Sequence, residues 1–315
     1  MKKLLLSVSG VMIIALLIGT IIYHQKNEVT HSEEEQHNNV PDKQESQNKA
    51  EQPQAQQLQP INSDTITYSL QNDELNITYN NGRDWMTVPV EKELLFEGEY
   101  NGNEQELIEG SYILTEDRAA FLYSEGPSWD DKRILLTYSL DQGKTWEEAV
   151  VTESSVAMRF RKVDFLNDEF GYIIISGGRT MSEEATHVFL THNGGVSWEE
   201  IYNFGVTRLI SDGGFIDEST GFLSFGTINP EEPDLHVTQD ASHTWEKSVF
   251  NIPEKYDEIF VSAEIPIKEE NHLAVLVNQG PNGDYKGGAV KGKFISEDKG
   301  KTWEFLKEVQ PDEAG

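Results

Sequence analysis

Five of the six tryptophans in this chain of 315 residues end copies of one eight-residue motif. Each copy begins with Ser or Thr, has Asp or Asn at its third position, and has Gly at its fifth position in four of the five copies. The copies span residues 78–85, 139–146, 191–198, 238–245 and 296–303. Recurrence at roughly 50 residues is the signature of a fold built from repeated supersecondary units. The repeat therefore predicts a fold assembled from several similar units.

The segments between the motif copies predict short β-strands. Apolar, β-branched and aromatic runs such as Tyr172–Ile175 and Phe222–Phe225 alternate with Gly, Asn and Asp turns, and no stretch has helical periodicity. Each repeat has room for four strands, which is one blade of a β-propeller. The first copy has room for about three. We therefore expect an all-β propeller of five blades, or of six if Glu91–Asn103 forms a blade without the motif.

The motif resembles the Asp-box, or BNR, repeat with the pattern S/T-x-D-x-G-x-T/S-W. That repeat occurs in sialidases, sortilin-type receptors and photosystem assembly propellers, where it forms the hairpin between the third and fourth strands of a blade. The resemblance covers residues 65–310 approximately, so it implies the propeller fold for nearly the whole domain. It implies little about function, because the same repeat serves enzymes and non-enzymatic binding proteins alike.

The motif carboxylates suit turn formation better than catalysis or metal binding. Glycine adopts a positive φ freely, and an Asp or Asn side chain can accept hydrogen bonds from exposed turn amides. The tryptophan opens the next strand, where its ring can pack on the turn and the neighbouring sheet. We expect this structural role for Asn80, Trp85, Asp141, Gly143, Trp146, Asn193, Gly195, Trp198, Asp240, Trp245, Asp298, Gly300 and Trp303.

The N-terminal part of the chain differs in composition from the repeats. Leu4–Tyr23 is a run of 20 uncharged residues after Lys2 and Lys3, long enough for a helix to cross a bilayer, and no small-x-small cleavage site follows it. The sequence predicts an uncleaved signal anchor at 1–24, with a cleaved signal peptide as the alternative. We expect a disordered acidic, Gln/Asn-rich stalk at 25–63 and the propeller at 64–311. The protein would be a single-pass cell-membrane protein with its propeller on the extracytoplasmic side.

The charge balance excludes one class of partner. The chain has 55 acidic and 25 basic residues, a net charge of -30, so a nucleic acid backbone would be repelled.

The absence of cysteine excludes disulfides, thiolate catalysis and thiolate metal sites. The histidines show no metal-ligand spacing. We expect no cofactor, although the oxygen-rich turns leave weak Ca²⁺ binding open.

Long second-to-third-strand segments predict the binding face. In a propeller these loops lie on the face opposite the motif hairpins, and here they span 124–132, 176–184, 226–234 and 279–288. Trp129, beside Asp130 and Asp131, is the one tryptophan outside the motif, and such a group suits a sugar or a peptide unless the ring packs on its own loop. Candidate binding residues on this face are Trp129, Asp130, Asp131, Arg133, Arg159, Arg161, Arg179, Arg208 and Tyr285.

Two functions are consistent with this pattern. The first is non-catalytic binding or scaffolding of a protein, a peptide or a surface glycan. The second is glycoside hydrolysis of the sialidase type, for which the resemblance implies three arginines that clamp a carboxylate. The chain has seven arginines and no Arg-Ile-Pro segment, which the sialidase family carries before its first motif copy. The sequence therefore favours binding and leaves catalysis as the alternative.

Overall fold

The computed structural model describes residues 57–180, 183–201, 206–226 and 229–310. The predicted anchor and most of the predicted stalk lie outside these ranges. In the part of the chain that the structure describes, no helix combines the length and the apolar character that a membrane crossing requires. The anchor, the stalk and the domain boundaries therefore stay predictions.

The described chain is all-β, as predicted, and forms five sheets in sequence order. Sheet A contains β1–β3 and sheets B, C and D contain β4–β7, β8–β11 and β12–β15. Sheet E contains six strands, β16–β21. The strand bounds in sheets A and B are Thr67–Ser69, Glu74–Thr78, Met86–Glu91, Tyr112–Leu114, Ala119–Ser128, Asp131–Ser139 and Glu147–Ser155. Those in sheets C and D are Met158–Phe165, Gly171–Thr180, Glu183–Thr191, Glu199–Ile201, Ile210–Phe215, Gly221–Phe225, Asp234–Thr238 and Glu246–Lys247. Those in sheet E are Val249–Asn251, Phe260–Ala263, Ile267–Glu269, His272–Gln279, Lys291–Ser296 and Thr302–Val309.

Sheets B, C and D are antiparallel meanders in which each strand pairs with the next one along the chain. In all five sheets the repeated motif connects the third and fourth blade positions, for example β6 to β7. Sheet A has only three strands, as the length of the first copy predicts, and the position it lacks is the first one. In sheet E, β17, β19, β20 and β21 form the meander, β18 adds to β19, and β16 pairs in parallel with β21. Consecutive four-stranded meanders are the arrangement that a propeller uses.

Four apolar clusters join consecutive sheets, and the motif tryptophans take part in them. Trp146 lies in the cluster between sheets A and B, and Trp198 lies in the cluster between B and C. Trp245 and Trp303 occupy the corresponding places between C and D and between D and E. Each of these rings contacts an aromatic partner, such as Phe165 for Trp198 at 5.8 Å between ring centroids. Four of the five motif tryptophans therefore belong to the clusters that join their own sheet to the preceding one.

Four segments differ from the sequence predictions or add to them. The described residues of 124–132 and 176–184 lie mostly in the ends of long hairpin strands rather than in irregular loops, because β5 extends to Ser128, β9 extends to Thr180 and β10 begins at Glu183. Within 91–103, after the end of β3, the chain forms the short helix α1 (Lys92–Phe96) and irregular turns, with no further strand. Residues 57–63, assigned to the stalk by composition, contact sheet A, where the Ile61 amide donates to the Tyr68 carbonyl at 2.9 Å.

Candidate functional site

The motif side chains form a hydrogen-bonded turn. Asp141 Oδ1 accepts from the amides of Lys144 and Thr145 at 3.0 and 2.9 Å, and Asp141 Oδ2 accepts from the Thr145 hydroxyl at 2.8 Å. The Ser139 hydroxyl donates to Asp141 and accepts from the Gly143 amide. Asp298 makes the same contacts in sheet E, and Asp240, Asn193 and Asn80 make close variants of them. The oxygens of these side chains therefore accept hydrogen bonds within their own turns, as expected for a structural role.

Glycine is required at one of these turns by a close approach to the preceding sheet. Gly300 has φ +93°, and a Cβ there would lie 2.4 Å from the Phe222 ring. A side chain at this position would need both a left-handed backbone and a displaced ring. This contact explains why the motif carries glycine where sheet E meets sheet D.

The turn hydrogen bonds predict an acid dependence of stability. They lower the pKa of Asp141 from 3.8 to about 2, with the Thr145 amide as the largest cause. Because the folded-state pKa is depressed, the stabilisation is present above pH 4 or so and is lost as the pH falls toward 2. Asp141→Asn keeps the acceptor oxygen, as Asn193 does in its own copy. We expect urea unfolding of this variant to depend less on pH in that window than wild-type unfolding does. An unchanged pH profile would contradict the role of the charged carboxylate.

A cleft of about 390 Å³ lies at the end of sheets D and E where the second-to-third-strand loops emerge. Three segments form its walls: Asn229–Glu231, Glu258–Val261 and Gln279–Tyr285. The lining carries three carboxylates (Glu231, Glu258 and Asp284) and the amides of Asn229, Gln279 and Asn282. Among the described residues, no lysine or arginine lines it. This arrangement suits a ligand that donates hydrogen bonds and carries no negative charge.

The side-chain contacts of Tyr285 and the backbone conformation of Glu258 shape this cleft. Tyr285 donates its hydroxyl to Glu308 at 3.0 Å, and its ring stands edge-on to Tyr256 at 6.1 Å between centroids. Hydrogen bonds from Lys286, Tyr256 and Tyr285 lower the pKa of Glu308 to about 2. The acceptor of the Tyr285 hydroxyl is therefore a carboxylate at neutral pH. Glu258 has φ +56°, a left-handed conformation that costs a non-glycine residue free energy and is often found at functional sites.

Three candidate arginines are paired with acids of the same chain. Arg159 makes a bidentate pair with Glu184 and also donates to the Ile210 carbonyl at 2.7 Å. Arg208 pairs with Asp234 at 2.5 Å, and Arg133 pairs with Glu125 and Glu153. The guanidinium groups are held separately by acids on their own or adjacent sheets. In the described structure each of the three therefore has acidic partners of its own.

Arg161 is buried, and no acidic side chain of the described residues pairs with it. Its guanidinium donates to the carbonyls of Tyr100 at 2.8 Å, Met158 at 3.3 Å and Leu95 at 3.4 Å. Burial lowers its pKa to about 10, which leaves it charged at neutral pH. Arg161 therefore holds the segment that follows α1. Arg179 lies in β9, and its side chain lies outside the described residues.

Trp129 is 61% exposed at the tip of the β5–β6 hairpin. The neighbouring Asp130 and Asp131 are exposed as well. The ring therefore does not pack on its own loop, and the group is open to a partner. Within the described ranges, no three His, Asp or Glu side chains come together as a metal site would need.

Several residues of this face were not predicted. Glu184 and Glu258 each belong to acidic runs that show no distinguishing spacing, and the backbone of Glu258 has no sequence signal. Asp284 lies beside the predicted Tyr285 in a Gly-, Pro- and Asn-rich loop, which could have indicated it. The cleft itself depends on three loops far apart in the chain.

No family model and no curated protein matches the chain. Among solved structures it is similar to a GH74 xyloglucanase from Xanthomonas campestris, with 14% identity and TM-score 0.42, covering 77% of this chain and 36% of that one. The sialidase of Trypanosoma rangeli has 11% identity and TM-score 0.38, covering 66% and 40%. A GH43_1 enzyme from Xanthomonas citri in complex with xylotriose has 10% identity and TM-score 0.37, covering 63% and 72%. The chain thus spans well under half of the first two proteins. These neighbours are mostly named as glycoside hydrolases, and at such TM-scores the fold assignment depends on the sheets themselves.

Proposed function

We propose that residues 64–311 form an extracytoplasmic five-bladed β-propeller that binds an uncharged glycan in the cleft between sheets D and E. The single observation that supports this proposal is the chemistry of the cleft lining. Carboxylate and amide oxygens accept hydrogen bonds from sugar hydroxyls, and Tyr285 adds an aromatic ring to the same wall. The predicted anchor would hold this binding domain at the membrane.

The charge of the cleft selects among glycans. Three carboxylates without a lining cation would repel a sialic acid carboxylate or a phosphate. The arginines that could offset this charge are engaged elsewhere: Arg159 by Glu184 and Arg208 by Asp234. Neutral oligosaccharides therefore fit better than sialosides.

Glycoside hydrolysis is the second candidate, because the same cleft contains several carboxylates. Glycosidases of most families use two carboxyl groups, one as an acid and the other as a base or a nucleophile. Glu231, Glu258 and Asp284 supply the residue types for such a pair. If the protein is an enzyme, this cleft is where the reaction would take place.

Calorimetry and product analysis with the full-length chain in detergent separate these functions. The ligands are xylohexaose, cellohexaose and sialyllactose. We expect a neutral oligosaccharide to bind, and Glu258→Gln and Asp284→Asn each to weaken that binding about tenfold, since a hydrogen bond to a charged group contributes roughly 1.5–3 kcal/mol.

The matched control is Glu218→Gln, an exposed acid in the turn between β12 and β13, outside the cleft. It should bind like the wild type. Release of reducing sugar by the wild type, lost in both cleft variants, would replace binding alone with hydrolysis. Preferential binding of sialyllactose, or cleft variants that bind like the wild type, would contradict the proposed site.

A further inference from the structure

Two exposed aromatic side chains flank one short segment of backbone. Trp129 is 61% and Tyr100 is 54% exposed, and they are the two aromatic residues among the exposed large apolar side chains of the described ranges. The Trp129 carbonyl accepts from the Ala157 amide at 2.7 Å, and the Tyr100 amide donates to the Met158 carbonyl at 3.3 Å. The backbones of Trp129 and Tyr100, which are distant in sequence, are thus both hydrogen-bonded to the segment formed by Ala157 and Met158.

The position of Tyr100 depends on a buried cation. Arg161 is 2% exposed and donates to carbonyls at both ends of the segment 95–100. A Cβ on Gly98 would lie 2.3 Å from the Arg161 guanidinium, so only glycine allows this close approach. Burying a guanidinium without a carboxylate is costly. The buried guanidinium thus holds the backbone of Tyr100, whose ring is exposed to solvent.

The surroundings of this aromatic pair are acidic. Asp130 and Asp131 follow Trp129 directly and are exposed. Beside Tyr100 a cleft of about 350 Å³ is lined by four carboxylates: Asp73, Glu93, Glu97 and Glu104. Lys92 also lines this cleft and donates to the Leu70 carbonyl at 2.9 Å, and Lys132, which is 3% exposed, pairs with Glu97, so the carboxylates outnumber the cations. The surface thus combines aromatic rings with negative charge.

We propose that this surface, formed by Trp129, Tyr100, Asp130, Asp131 and the adjacent acidic cleft, docks a lysine- or arginine-bearing segment of a partner protein. Aromatic faces attract ammonium and guanidinium groups, most strongly when the ring is tryptophan. The surrounding carboxylates match such a segment in charge and speed its approach. This docking function is separate from glycan binding between sheets D and E.

The test measures binding of fluorescein-labelled hexalysine to the full-length chain in detergent by fluorescence polarisation. We expect Trp129→Ala and Tyr100→Ala each to weaken binding about threefold to tenfold, with Trp129→Phe losing less. Both side chains are exposed, so the variants should fold. Leu166→Ala and Val196→Ala are matched controls, because these residues are exposed apolar side chains on motif-face turns, and they should bind like the wild type.

Three results would overturn the proposal. If the wild type and both aromatic variants bound hexalysine equally well, the binding would come from net charge alone and the aromatic rings would have no part in it. Hexaglutamate binding as tight as hexalysine binding would remove the role of the carboxylates. Xylohexaose binding that Trp129→Ala abolishes, with hexalysine binding unchanged, would assign the surface to a glycan instead.

Discussion

Replacement of Trp303 by alanine is expected to destabilise the domain by about 3–5 kcal/mol, the range for a large aromatic removed from a core. Trp303 is fully buried and stacks on Phe250 at 5.8 Å, with Phe222 at 6.3 Å. Its indole nitrogen has no hydrogen-bond partner among the described residues, so the loss is one of packing. Urea unfolding of the variant should show a lower midpoint with little change in slope.

Two variants make this expectation specific. Trp303→Phe keeps an aromatic ring between sheets D and E and should lose less than the alanine variant. Trp129→Ala removes an exposed indole and should stay within about 0.5 kcal/mol of the wild type. If Trp303→Ala were as stable as Trp129→Ala, the motif tryptophan would have no part in joining the sheets.

The fold was predictable to the extent that it depends on local sequence. The eight-residue motif specifies a hairpin by itself, since Asp141 contacts Ser139, Lys144 and Thr145 within a few positions. Repetition then implies one sheet for each copy. The short first copy predicts the three strands of sheet A. The extended hairpins at 124–132 and 176–184 were missed because glycine and proline there suggest loops, whereas pairing along β5 and β9 continues past them.

The candidate site was less predictable, because its contacts are distant in sequence. Arg161 was chosen as a possible ligand for a substrate, yet its partners are carbonyls of Leu95 and Tyr100. No local pattern links a strand residue to a helix end some 60 positions earlier. Exposure of Trp129 was undecided for the same reason, since it depends on what the hairpin tip meets. Long-range pairing decides which polar residues remain available to a ligand.

Replacement of Glu184 by alanine should also cost about 3–5 kcal/mol, as expected when one partner of a buried ion pair is removed. The Glu184 side chain is fully buried, whereas that of Arg159 is 23% exposed. Glu184 also accepts from the Ile210 amide at 2.8 Å. The variant would leave the Ile210 amide without its acceptor and the Arg159 guanidinium with only the Ile210 carbonyl. Urea unfolding measures the loss.

The double variant Arg159→Met with Glu184→Leu distinguishes a structural pair from a ligand clamp. Apolar replacement of both members of a buried pair is often neutral or stabilising, so the double variant should recover the part of the stability that Glu184→Ala loses through the unpaired guanidinium, whereas the Ile210 amide still lacks its acceptor. It should also keep wild-type affinity for the neutral oligosaccharide, because Arg159 does not line the cleft between sheets D and E. If the double variant regained stability but lost that affinity, Arg159 would belong to the ligand site, and the sialidase-type arrangement would have to be considered again. Recovery of both stability and affinity would assign Arg159 to holding sheet C against sheet D.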